Sequence, residues 1–176
     1  MICSRISTGP STVPEDPPSP EALDDLDRHM AAAGNIARAA VPLGMYLAWC
    51  ANLQLISGRF QQEHEGALLR LRYRELSPAE FFTATTSGAL DFQQLSPSGA
   101  AFSRAYYHRY MDDFRTTFAG DPYSVRDDWP HYDQIAAVLT RHFMAWKDGG
   151  RVKKLYPQSN GERLSRRGKW WRRWLK

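Results

Sequence analysis

Residues 39–51 read AAVPLGMYLAWCA, a run without a charged side chain. Arg38 precedes it, and Asn52 and Gln54 follow it. A helix that crosses a bilayer needs about 20 apolar residues, so this segment is too short to span one. Read as a helix over roughly 36–57, it is apolar nearly all round. Leu43, Leu47 and Cys50 occupy one side, and Tyr46, Trp49 and Leu53 overlap it. Such a helix has no face to offer water and belongs at the centre of a fold. Pro42 lies inside the run, which predicts either a helix start near Val41 or a kink.

The flanking sequence supplies helices to surround it. Ser19-Pro20-Glu21 has the residues of a helix start, with Ser as N-cap and Pro at the first helical position, and predicts a helix to about Ala33 that stops at Gly34-Asn35. A third helix is expected over 60–74, with Phe60, Ala67, Leu68 and Leu71 facing in. Ser77-Pro78-Ala79-Glu80 reads as a capping box that opens a fourth helix, closed by Gly88. Ser96-Pro97 opens a fifth over 97–118. Trp129-Pro130 opens a sixth over 130–147, with Ile135, Val138, Leu139, Phe143 and Trp146 inward and Gly149-Gly150 as its end. No segment sustains the period-2 alternation of a strand. The expected fold is an all-α, single-domain bundle of about six helices over 20–148. A Pro-rich lead at 1–19, expected to be disordered, and a basic, Trp-rich tail at 149–176 flank it.

Charge separates the body from the tail. Residues 20–148 hold 12 Lys/Arg against 16 Asp/Glu, a net of −4, whereas residues 149–176 hold 10 Lys/Arg against one Glu, a net of +9. The pI of about 9.2 therefore reflects the tail. Partners of the two parts must be considered separately. In the tail, Arg166, Arg167, Lys169, Trp170, Trp171, Arg172, Arg173 and Trp174 interleave cations with indoles. That mixture suits an anionic membrane surface or the phosphates and bases of a nucleic acid. The N-terminus has no apolar run of signal-peptide type, and Cys3 and Cys50 lie in dissimilar surroundings that do not suggest a disulfide. A reducing, cytoplasmic setting is the expectation.

The stretch YYHRYMDDF at 106–114 is the densest in chemically capable side chains. On a helix, Phe102, Tyr106, Tyr110 and Phe114 form one row, and Tyr107, Met111 and Phe118 adjoin it, which reads as core. His108 and Asp112 are four apart and face outward with Arg109. They make only two ligands, short of the three or four a metal site needs. Asp112, Asp113, Asp127 and Asp128 gather around the junction of the fifth and sixth helices. With His108 or His131 they admit a hydrolase reading by paired carboxylates. With Tyr107 and Tyr123 they read as an acidic, aromatic surface for a basic protein partner. No nucleophile elbow, phosphate-binding loop, dinucleotide fingerprint or metal-ligand motif is present, and no cofactor is expected.

Several segments, in order, resemble a family of small uncharacterised bacterial domains. They are LDDLDRHM at 23–30, PLGMYLAWC at 42–50, LSPAEFF at 76–82, SPSGAAFSRAYYHRYMDDF at 96–114, YSVRDDWPHYDQI at 123–135 and MAWK at 144–147. The chain departs from that pattern at Ala39-Ala40-Val41, where members carry a polar Thr or His before the Gly, and the Trp-rich tail lies outside it. Members often sit beside secreted polymorphic toxins. The resemblance thus implies an immunity or accessory role and supplies no catalytic residues; with the acidic body and the missing catalytic motif, the expectation is a non-enzymatic protein-binding domain.

Overall fold

A computed structural model describes residues 22–155, with side chains as far as Gly149. The long apolar segment forms α2 (Ile36–Asn52), in which Leu43, Met45, Tyr46, Leu47 and Trp49 are fully buried. The helix is continuous from Ile36 through Pro42, so it does not start near Val41. Pro42 has no N–H to give the preceding turn, and its own carbonyl accepts the Tyr110 hydroxyl at 2.7 Å.

Around α2 stand α1 (Leu26–Ala33), α3 (Gly58–Glu63), α4 (Glu65–Arg72), α5 (Pro78–Thr85), α6 (Pro97–Tyr106), α7 (Tyr110–Phe118) and α8 (Trp129–Leu155). The all-α architecture is the one expected. α5 packs most extensively on α2, and α1, α8 and α4 also touch it. The α2–α5 contact is backbone on backbone. A Cβ built on Gly44 would lie 2.5 Å from the Pro78 carbonyl oxygen and 2.7 Å from the Ala79 Cα. Polar ties fix the other neighbours. Trp49 Nε1 donates to Thr140 Oγ1 at 3.0 Å, and the hydroxyls of Tyr46 and Ser103 meet at 2.9 Å.

Local signals account for the helix starts. Asp25 caps α1 through the Arg28 N–H and Asn35 caps α2 through the Arg38 N–H, both at 2.9 Å. The capping box at Ser77 and Glu80 is present at α5.

Four boundaries differ from expectation. The first expected helix does not begin near residue 20. Residues 22–25 form β1 (Ala22–Asp25), antiparallel to β2 (Ala89–Asp91), and α1 begins only at Leu26. The 60–74 helix is broken at His64 into α3 and α4. The 97–118 helix is interrupted by a 3-10 turn at Tyr107–Arg109. Three residues per turn instead of 3.6 re-phases the side chains, so Tyr107 and Tyr110 reach different partners. Finally, α8 continues through Gly149-Gly150 to Leu155. A helical glycine costs only about 1 kcal/mol relative to alanine, which lowers helix stability without stopping the helix. The Ser19-Pro20-Glu21 start and the tail residues Arg166–Trp174 lie outside the described residues.

Cys50 is fully buried, and burial pushes its thiol far above the usual range. Folded protein treated with iodoacetamide is expected to keep Cys50 unmodified, and mild denaturant should expose it. Peptide mass mapping of the Cys50 fragment checks this. Rapid alkylation without denaturant would contradict the packing described.

Candidate functional site

The most connected polar group in the core is Asp24, which the short strand β1 turns inward. Its Oδ2 accepts from the Tyr107 hydroxyl at 2.8 Å and pairs with His29 Nε2 at 3.0 Å. Its Oδ1 accepts from the Asp25 N–H at 2.9 Å. His29 stands on the inner face of α1, and its Nδ1 lies 2.8 Å from the Tyr123 hydroxyl. Asp24 and His29 are each 6% exposed, and Tyr107 and Tyr123 each 8%. Asp121 orders the short 3-10 turn (Pro122–Ser124) that delivers Tyr123, accepting the Tyr123 N–H at 3.1 Å.

The electrostatics are consistent with an ionised Asp24. Burial pushes its carboxyl up, but hydrogen bonds from His29 and Tyr107, the His29 charge and the Asp25 N–H outweigh that and hold it below the ordinary value. Tyr107 is driven well above the usual phenol range by burial, then by the Asp24 charge and Tyr110, so it stays a donor. Burial likewise raises Tyr123. His29 thus bridges the two sides of the network, with Nε2 facing the carboxylate and Nδ1 facing the Tyr123 hydroxyl. The chain Tyr123–His29–Asp24–Tyr107 thus ties together β1, α1, the turn between α6 and α7, and the loop ahead of α8. Among the described residues, every buried side-chain nitrogen and oxygen has a partner.

A hollow of about 510 Å³ opens outside Tyr107, rimmed by Leu23, Arg28, Phe92, Arg104 and His108.

The acidic residues named from the sequence are dispersed among local tasks. Asp112 is exposed and pairs with Arg115 at 3.1 Å. Asp113 accepts the Tyr106 hydroxyl at 2.7 Å and meets His142 Nε2 at 3.2 Å, with the Tyr106 and His142 rings stacked at 5.0 Å. Asp127 accepts the Ser77 hydroxyl and, at 3.1 Å, the Ala79 N–H, which anchors the start of α5. Burial raises its carboxyl despite those bonds. Asp128 accepts the His131 N–H at 3.0 Å and faces His131 Nδ1 at 2.6 Å, and these two bonds lower its carboxyl.

The expected acidic, aromatic surface is therefore corrected in its aromatic half. Tyr107 and Tyr123 are spent inside the His29 network and present no ring to a partner. Asp113, Asp127 and Asp128 each hold an internal contact, which leaves Asp112 the most open of the four. His108 lies in the 3-10 turn, so the helical His108–Asp112 spacing is lost. Among the described residues, no group of three or more His, Cys, Asp or Glu could hold a metal ion. None of their helices is long and apolar enough to cross a membrane.

Asp24 and His29 escaped the sequence reading. Their one visible signal was LDDLDRHM, where an aspartate and a histidine fall five apart at the entry to an amphipathic helix.

A family model described as Domain of unknown function (DUF7832) matches residues 22–126. The chain belongs to that family. The match includes Asp24, His29, Tyr107 and Tyr123 and stops before α8. Neither curated proteins nor solved structures provide a match.

Proposed function

We propose that this member of a family of unknown function is a non-enzymatic protein-binding domain, and that its partner is a toxin domain which it neutralises. One surface carries the reading. Leu69 on α4 and Tyr73, the residue that caps the C-terminal end of α4, stand 53% and 71% exposed. Leu69 lines a hollow of about 540 Å³ between α3 and α4, together with Gln61, Gln62, Glu65, Leu68 and Arg72. A large aromatic and a leucine beside an apolar-floored depression with a polar rim is the composition of a protein interface, where Tyr is favoured as an anchor. Water gains nothing from these side chains, whereas a partner can cover both. The identity of the partner as a toxin rests on what the sequence resemblance implies, an immunity-type role.

Co-expression with the product of the adjacent gene tests this. The expected result is protection of the cells and co-purification of a complex. Leu69→Asp with Tyr73→Asp should abolish both while leaving the melting temperature within a few degrees, since exposed substitutions typically shift stability by no more than about 0.5 kcal/mol each. A partner that still binds the double variant would remove α4 as the interface. Absence of both protection and a complex would remove the toxin assignment.

A further inference from the structure

The hollow outside Tyr107 is separate from the α4 surface and has a different chemistry. Three elements direct nitrogen-bearing side chains toward it: the cation Arg28 from the first turn of α1, the cation Arg104 from the last turn of α6, and His108 from the following 3-10 turn. This occurs on a body whose net charge is −4 over residues 20–148. We propose that this hollow binds a small organic anion, a phosphate ester or a carboxylate with an apolar body, gripped by Arg104 and Arg28.

The state of Arg104 carries the inference. Its guanidinium lies over the Phe92 ring, 4.2 Å from the centroid. The contact with the ring holds the guanidinium in place without using its N–H donors. No carboxylate among the described residues pairs with it. A fixed planar fork is suited to two parallel hydrogen bonds to a carboxylate or phosphate. Arg28 gives its Nε to Asp25 at 3.1 Å and makes only a long 3.5 Å contact from Nη1 to the Leu23 carbonyl, so Nη2 is open. The hydroxyls at the back of the hollow are committed: Tyr107 donates to Asp24, and Ser103 pairs with Tyr46. Recognition therefore falls to the cationic rim. The charge of Asp24 sits behind Tyr107 and is covered by three hydrogen-bond donors. Leu23 and the Phe92 ring provide an apolar wall. A volume of about 510 Å³ exceeds the needs of a bare phosphate and fits a ligand of aromatic-ester size.

The test is an amide chemical-shift titration of the full chain with phenyl phosphate, benzoate and neutral benzamide. Site-resolved shifts separate the hollow from anion binding by the basic tail. The expected result is saturable movement of residues 22–28 and 103–108 with phenyl phosphate, benzoate or both, and none with benzamide. Preference between the two anions identifies which source of negative charge the site reads. Arg104→Gln should weaken binding by about tenfold or more, the loss of a charge-assisted pair. Arg104→Lys, which keeps the charge but not the fork, should fall between. Absence of shifts in those two segments overturns the proposal. So does equal binding of benzamide, or an Arg104→Gln variant that melts normally and binds as tightly as the parent.

Discussion

Gly44→Ala is expected to destabilise the domain by about 3 kcal/mol or more, at or beyond the upper end of ordinary overpacking. The added methyl would meet backbone, the Pro78 carbonyl carbon at 2.6 Å and its oxygen at 2.5 Å. A flexible side chain can rotate away from such a contact, but a capped helix start cannot. Moving α5 would also disturb Ser77 and Ala79, both of which bond Asp127. Gly149→Ala is the matched comparison. It lies within α8, nothing stands within 4 Å of where the added methyl would sit, and helix propensity predicts a gain of about 0.5–1 kcal/mol. Urea unfolding of the two variants reads both effects. A Gly44→Ala midpoint equal to that of the parent would mean that α2 and α5 do not touch as described.

Asp24→Ala is expected to cost about 3–5 kcal/mol, because it strands a buried histidine and a buried tyrosine that both point at the missing carboxylate. Asp24→Asn should cost less, since the amide oxygen still accepts one of the bonds, though the NH2 now opposes a donor. The pH dependence separates these effects from simple loss of packing. The folded Asp24 carboxyl is held below its ordinary value of 3.8, so the unfolded chain binds the proton more readily. The stabilisation it confers is fully present above that value and is lost as pH falls through the folded one. The stability gap between parent and Asp24→Asn should therefore be widest from pH 5 upward and narrow below about pH 4. Asp127, raised by burial, runs in the opposite sense, so the difference between the two proteins is the informative quantity. A gap independent of pH down to acid unfolding would show that Asp24 is not ionised in the fold.

The helical architecture was readable because it rests on short-range rules. Thirteen apolar positions from Ala39 to Ala51 required a central helix, and the structure buries every one of them. Ser77 and Glu80 form the reciprocal cap their spacing implied. Tyr106, Tyr110 and Phe114 face the core as their helical row required. These features depend on periodicity and on hydrogen bonds between residues three or four apart.

The polar network was not readable for the opposite reason. In β1 the buried residue is Asp24, while Leu23 is only partly covered, so the strand inverts the usual apolar-in pattern. Asp24 becomes tolerable inside only because Tyr107 approaches from 83 positions away, and His29 gains its second partner from Tyr123, 94 positions away. The same holds for the two hollows. Leu69 and Tyr73 look like ordinary helix residues until the packing of the fold leaves them uncovered, and Arg104 is one cation among many until Phe92 lies beneath it. Local sequence decided where helices form and which one is central. Burial, pairing and exposure of the chemically capable side chains were decided by contacts between distant segments, whose energies appear only once the chain has closed on itself.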